Sequence, residues 1–391
     1  MIKSRNSFLP IATAVFGKEE EKEIIETLRS GWVTLGPKTK LFEELLVKYT
    51  GAKYAVALNS CSSALHLALV ALNLKKGDEV ITTTFTFAAT VNAILHTGAK
   101  AVLVDIDPQT FNVNLDQVEK KITKKTKAII PVHYAGQSVD LDILKKLCKK
   151  HDIVLVEDAA HAIGTEYKNK KIGNFGDMTC FSFHPVKNMT TGDGGAITTN
   201  NKLLYEKLLV LRVNGMDKES WKRNTSTGKW DYAIVDEGYK FHMNDLSASL
   251  GIHQIKKLDK YNLKRKQIAD SYDNKLSKIP EITIPDRETK FKNMHSHNLY
   301  PILVDTSNLR ITRNEIIDKL KEYNIGSIVY YRPIHMHHFY QERLGYEIGD
   351  FPIAEHVFER LICLPIYPLM KASDINYVSN VLKEIISDNR V

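Results

Sequence analysis

Cysteine is scarce: four residues in 391, at Cys61, Cys148, Cys180 and Cys363, with no CxxC pair among them. That spacing gives neither a metal knuckle nor a disulfide framework, so no metal is expected and a reducing, cytoplasmic setting fits. Long apolar runs are missing too. The stretch from Ala55 to Leu74 is apolar on average, but Asn59, Ser60, Ser62, Ser63 and His66 interrupt it. A spanning helix needs about twenty mostly apolar residues, so this segment reads as strand, turn and buried helix, and no membrane association is expected. The first residues, Met1 to Leu9, lack the apolar centre of a signal peptide. No internal repeat, low-complexity linker, helix-turn-helix, zinc-finger or RNA-recognition signature is visible. The formal net charge is +8, from 54 Lys and Arg against 46 Asp and Glu. An anionic partner or a lysine-rich solvated surface both account for it. The basic residues are scattered, as at Lys120-Lys121 and Lys145-Lys146, so nucleic acid is not expected.

What is present is an ordinary globular composition, 43% hydrophobic and 26% charged, in a chain long enough for two domains. Helical spacing of Ile24, Ile25 and Leu28, then Phe42, Leu45 and Leu46, flanks a turn-rich break from Gly31 to Pro37. From Tyr54 onward short apolar runs alternate with helical ones. Strands are predicted at Tyr54–Leu58, Glu79–Thr83, Ala101–Val104, Ala128–Val132 and Ile153–Glu157. Helices are predicted between them, through Leu74, over Thr90–His96, near Leu115–Ile122 and over Leu141–His151. That alternation predicts an α/β fold with a mostly parallel sheet whose ligands gather at the carboxyl ends of strands. A long helix is predicted from Asn244 to about Lys278. Beyond it come an extended segment from Asn298 to Val304, a helix over Arg313–Tyr323, a strand around Ile328–Tyr331 and a helix over Ala372–Ser387. The expected division is a large domain over residues 1–255 and a smaller α+β domain over residues 256–391.

Three turns, each after a predicted strand, carry chemistry. Asn59-Ser60-Cys61-Ser62-Ser63-Ala64 opens a helix, where free backbone N–H groups and hydroxyls suit a phosphate or simply cap the helix. Glu157-Asp158-Ala159-Ala160-His161 ends a buried strand, so its carboxylate either caps a helix or meets a flat ligand. The third runs from Phe181 to Gly195 and sets Lys187 between an aromatic strand and the Gly-rich turn Gly192-Asp193-Gly194-Gly195. A lysine loop is ordinarily solvated surface. Desolvation here would lower its pKa and free the neutral amine for a Schiff base. The lysine precedes the glycines, so this is not a GxxxxGK[ST] phosphate loop.

The ordered segments GWVTLGP, ALNSCSSALHLAL, GDEVITTTFTF, IIPVHYAG, VEDAAHAIG, FSFHPVKNMTTGDGGAITT and GYKFHMNDLSASLG run through nearly the whole chain. Together they resemble the DegT/DnrJ family of sugar aminotransferases. The resemblance implies the aspartate aminotransferase fold (fold type I), pyridoxal 5'-phosphate (PLP) as cofactor, and a homodimer with active sites at the subunit interface. It implies Lys187 as Schiff-base lysine and proton shuttle, and Asp158 at the pyridine nitrogen. Phe87 and Ala160 would lie on the two ring faces, with His161 near the phenolic oxygen. Ser62, Ser63 and Ser182 match the phosphate cradle. Where many relatives have an Asn donated by the partner subunit, this chain has Gly238-Tyr239-Lys240, so Lys240 is expected to reach the phosphate. Thr34, His184, Tyr330 and Tyr331 fall at substrate-binding positions, Tyr330 standing where relatives often carry His.

Within the family the chain is most similar to enzymes that aminate C4 of a UDP-linked 4-keto sugar, the 4-amino-4-deoxy-arabinose type used in lipid A modification. The implied reaction moves an amino group from L-glutamate to the nucleotide sugar by a ping-pong route. Amination at C3 of a dTDP-keto sugar or of a cyclitol is the nearest alternative. A dehydratase of this fold would replace the Schiff-base lysine by His. A non-catalytic sugar-binding regulator would have no use for both Lys187 and Asp158.

Overall fold

A computed structural model describes residues 2–217, 231–287 and 294–391. The chain opens with two helices, α1 (Lys18–Ser30) and α2 (Pro37–Thr50). Each stops at a glycine in the left-handed region, Gly31 and Gly51, where a side chain would be strained. The β/α alternation follows as β1 (Tyr54–Leu58), α3 (Cys61–Ala71), β2 (Glu79–Thr83), α4 (Ala88–His96), β3 (Lys100–Val104), α5 (Leu115–Lys121), β4 (Thr126–Ile130), α6 (Leu141–His151) and β5 (Val154–Asp158). A small hairpin, β6 (Glu166–Tyr167) and β7 (Lys170–Lys171), precedes β8 (Met178–Ser182), β9 (Gly195–Thr199) and α7 (Lys202–Leu211).

Seven strands form one sheet in the order β1–β9–β8–β5–β4–β2–β3. Strand β9 runs antiparallel to both neighbours, and the β8–β5–β4–β2–β3 half is parallel throughout. In β5 four of five residues are buried, and in β8 all five. Burial on both faces is what runs such as VLVED require.

Helix α8 (Asp245–Leu276) spans the expected domain boundary without a break. Its first half packs Ala248, Ile252, Ile255 and Leu258 with Phe42 and Leu46 of α2. Gly251 permits that approach, since a Cβ there would lie 2.7 Å from the Phe42 ring. Complete burial of a phenylalanine such as Phe42 contributes about 2–3 kcal/mol. Past Leu258 the partners change, and Ile268, Ala269, Tyr272 and Leu276 join a second core. That core holds β10 (Ile282–Thr283), β11 (Tyr300–Val304), α9 (Arg313–Glu322) and α12 (Ala372–Asp388). Between α9 and α12 come α10 (His338–Leu344), α11 (Pro352–Arg360) and β12 (Leu361–Leu364). Strands β10, β11 and β12 form an antiparallel sheet. Ile334, Tyr340, Phe351, Ala354 and Val357 pack instead into the core of the seven-stranded sheet.

Three expectations need correction. The helix expected to run to Leu74 ends at Ala71. The strand expected at Ala128–Val132 is β4, two residues earlier, because Pro131 has no N–H to extend the ladder. Residues 328–331 make a single bridge, Ile328 to Cys363, rather than a strand. The Tyr330 carbonyl accepts from the Tyr134 hydroxyl at 2.5 Å and so leaves the ladder.

Candidate active site

The carboxyl ends of β5 and β8, the starts of α3 and α4, the loop after β8 and the Tyr330-Tyr331 segment enclose a cavity of about 380 Å³. Asp158 is the last residue of β5 and is 5% exposed. Its Oδ2 accepts from Thr90 Oγ1 at 2.8 Å and its Oδ1 from the Ala160 N–H at 3.1 Å. Burial pushes its pKa up, while those two hydrogen bonds and the charges of Lys187 and His133 pull it down.

Lys187 enters the same cavity from the loop after β8, where its N–H donates to the His184 carbonyl at 2.9 Å. Desolvation lowers its pKa to about 8, against the opposing pull of Cys61 and Asp158. Near neutral pH part of the population therefore carries a neutral amine. The next residue braces the loop. Asn188 Nδ2 donates to Asn262 Oδ1 at 2.6 Å and to the Ser296 carbonyl at 2.7 Å, and Asn188 Oδ1 accepts from Asn298 Nδ2 at 2.7 Å. Ser296 Oγ donates in turn to the His161 carbonyl at 2.9 Å.

His161 is buried beside Tyr331, with Nε2 and the hydroxyl 2.9 Å apart and the rings stacked at 8°. Burial first, and the Lys187 charge second, hold its pKa well below the ordinary imidazole value, so it is neutral. Its Nδ1 is buried with no hydrogen-bond partner among the described residues. Phe87 is 58% exposed, an unusual setting for a phenylalanine, and its ring lies at the cavity 6.0 Å from that of Tyr331.

The mouth of α3 supplies donors. Ser60 caps the helix, its Oγ accepting from the Ser63 N–H at 3.0 Å, while the Ala64 N–H bonds to the Ser60 carbonyl. The first amides of the helix, at Cys61 and Ser62, have no intrahelical partner and lie where an anion is favoured. Gly195 makes the approach possible: a Cβ would sit 2.5 Å from the Ser60 carbonyl.

Of the residues expected at the site, Lys187, Asp158, His161, Ala160, Phe87, Ser62, Ser182, His184, Tyr330 and Tyr331 line this one cavity. Three do not. Ser63 spends its amide on the cap. Thr34 is exposed, with its hydroxyl 3.4 Å from His242 Nε2. Lys240 is exposed on the segment after Tyr239. Cys61, Thr86, Thr90 and Asp193 also line the cavity and were missed by sequence reasoning. The detectable signal was Thr90 one helical turn beyond Phe87.

A neutral-capable lysine, a buried carboxylate and an open aromatic face in one cavity suit a carbonyl cofactor with a flat ring. A model of the DegT/DnrJ/EryC1/StrS aminotransferase family matches residues 15–383. The chain belongs to this family. SpsC of Bacillus subtilis, a spore coat polysaccharide biosynthesis protein, is 43% identical over 387 residues, 99% of each chain. Spr1654 of Streptococcus pneumoniae, assigned as a sugar aminotransferase and solved in PLP and PMP forms, is 36% identical, with a TM-score of 0.90 over 97% of this chain and 99% of that one. PseC of Helicobacter pylori, an aminotransferase involved in pseudoaminic acid biosynthesis, is 31% identical, with a TM-score of 0.89 over 98% and 100%. Like the other DegT/DnrJ members, the chain is a PLP-dependent sugar aminotransferase. The orphaned His161 Nδ1, the first amides of α3 and the clearance at Gly195 all fit that cofactor. Among the described residues no helix is long and apolar enough to cross a membrane, and no cluster of side chains suits a metal ion.

Proposed function

We propose that the protein moves an amino group from L-glutamate to C4 of a UDP-linked 4-keto sugar, in the making of a cell-surface glycan or lipid A. The observation that carries this reading is Lys187, desolvated and partly neutral, sharing one cavity with the buried Asp158 in a chain of sugar-aminotransferase ancestry. The naming of SpsC for a coat polysaccharide and of PseC for a sugar acid pathway supports the surface-glycan destination.

Bound PLP supplies an electron sink for the carbon that gains or loses the amine. Lys187 Nζ would hold the cofactor, and its partly neutral amine would serve to carry the proton to and from that carbon. Asp158 keeps the ring nitrogen protonated, and its low exposure excludes the water that would weaken the pairing. Phe87 and Ala160, which line the cavity, would pack against the ring, and the neutral His161 would offer it a hydrogen-bonding partner. Ser62, Ser182 and the α3 amides hold the phosphate, with Ser63 fixing the cap that aims those amides. His184, Tyr330 and Tyr331 shape the sugar side.

The protein acts as a homodimer in this reading. Ile25, Leu28, Val33 and Leu41 leave apolar surface exposed on α1, α2 and the turn between them. Covering it would bring Thr34 and Lys240, both outside their own cavity, toward the partner's. Lys240 then meets the phosphate where relatives use Asn. Residues 1–255 and 256–391 act as cofactor-binding and smaller domain, joined through the continuous helix α8.

The test is a two-stage assay: PLP-loaded protein is treated with L-glutamate, desalted, and offered UDP-4-keto, dTDP-3-keto and cyclitol ketones. Mass spectrometry of an aminated UDP sugar is the expected result. Amination of the C3 ketone or the cyclitol alone would overturn the substrate assignment.

A further inference from the structure

We propose that Thr90, backed by Thr86, is a positioning residue that aims the Asp158 carboxylate into the cavity through a one-way chain of hydroxyl hydrogen bonds. The inference rests on the reading that Asp158 meets the cofactor's ring nitrogen. It starts from an unusual choice of partner. A threonine inside a helix ordinarily returns its hydroxyl to the carbonyl four residues back. Thr90 lies in the first turn of α4, yet its Oγ1 donates to Asp158 Oδ2 at 2.8 Å and lies 2.8 Å from the Thr86 hydroxyl.

Proton positions follow from the chemistry of the end group. An ionised carboxylate only accepts, so Thr90 must donate to it. The Thr90 oxygen is then left to accept, and Thr86 must be the donor to Thr90. Both threonines are buried, at 1% and 0% exposure, so water does not compete for either hydroxyl. The Ala160 N–H holds the other carboxylate oxygen at 3.1 Å, and two donors on two oxygens fix the plane of the group. The same turn carries the cavity's exposed aromatic ring, because Phe87 caps α4 and its carbonyl accepts from the Thr90 N–H at 3.2 Å. One helical turn thereby sets both the ring-face contact and the aim of the carboxylate. Among the described residues the other titratable groups facing Asp158 are Lys187 from the loop after β8, His133 after β4, Cys61 on α3, Cys180 on β8 and Tyr331 from the C-terminal region.

The experiment compares PLP affinity of the full-length apo-protein, by equilibrium dialysis across pH, for the parent, Thr90→Val, Thr90→Ser and Thr86→Val. Thr82→Val serves as control, since Thr82 Oγ1 donates to the Ile130 carbonyl in the sheet and touches no part of Asp158. Losing one hydrogen bond to a charged group should weaken PLP by about tenfold or more in Thr90→Val. Thr90→Ser should stay within about threefold of the parent, and Thr86→Val should fall between them. Without Thr90 the ionised carboxylate loses a donor that holds its pKa down, so the acid limb of PLP binding should move to higher pH. A purely structural defect would leave that limb where it is. Parent-like affinity and an unmoved limb in Thr90→Val would overturn the proposal. A parent protein that takes up no PLP would overturn the reading of the whole site, and the two failures are thereby told apart.

Discussion

The depressed basicity of Lys187 is open to direct measurement. Its pKa of about 8 comes from desolvation that outweighs the attraction of Cys61 and Asp158. At pH 7 a group with that value is neutral about one time in eleven, whereas an ordinary lysine near 10.5 is neutral about one time in 3,000. The structure thus makes Lys187 about 300-fold richer in neutral amine than a surface lysine. Reductive methylation of the apo-protein with labelled formaldehyde, followed by NMR titration of the methyl signals, resolves each lysine. One signal should titrate near pH 8 and vanish in Lys187→Ala, while the remainder titrate near 10 or above. Asp158→Asn removes a charge that raises the lysine's pKa, so the midpoint should fall further. A Lys187 midpoint at 10 or above, or a rise in Asp158→Asn, would refute the reasoning. The sign carries over to stability. Between about pH 8 and 10.5 the unfolded chain binds more protons at this position than the native one, so apo-protein stability rises with pH there. Lys187→Met should accordingly stabilise the apo-protein at pH 7 by about 3 kcal/mol at most, less because the side chain is only partly buried. The gain should shrink to nothing as pH rises through that window.

Other consequences follow from the same geometry. Glu157, on the opposite face of β5 from Asp158, accepts from His133 Nε2 at 2.9 Å, the Gly176 N–H at 2.7 Å and Thr179 Oγ1 at 2.7 Å. Glu157→Ala strands three donors, two of them on buried side chains, and should cost about 3–5 kcal/mol. With an unfolding entropy of about 2.1 cal/mol/K per residue, calorimetry should record a fall in Tm of about 4–6 °C; a loss under about 1 kcal/mol would contradict the assignment. Asn188→Ala removes the link between the lysine loop and α8 and should lower urea stability by about 2–3 kcal/mol while weakening PLP retention; unchanged retention would show that the loop is held by other means. Tyr331→Phe should cut turnover about tenfold with PLP affinity little changed, since the hydroxyl orients His161; equal loss of affinity would make it a cofactor contact instead.

Much of the sheet was legible because its strands are bounded runs with clear ends. Tyr54–Leu58 and Glu79–Thr83 match the structure residue for residue, as does the helix Leu141–His151, which Asp140 caps. Strand β12 escaped because no turn residue separates Leu361 from the helix ending at Arg360, so the pattern reads as one element. The false strand at 328–331 had the right residue types, but strand pairing is decided by a partner, and here only Ile328 has one. At the site, Lys187 and Asp158 stood out because each lies at or soon after the carboxyl end of a buried strand, and strand ends converge in this architecture. Thr90 stayed hidden for the opposite reason. A threonine near a helix start passes for a local cap, and its contact with Asp158 bridges 68 residues that only the folded sheet brings together.

The central claim is that Lys187 holds PLP, and borohydride tests it most directly. Protein incubated with PLP should show a visible absorption band that sodium borohydride bleaches, and peptide mapping should find the cofactor's mass on the peptide carrying Lys187, with none in Lys187→Ala. A label on another lysine, or no stable label on the parent protein, would contradict the account.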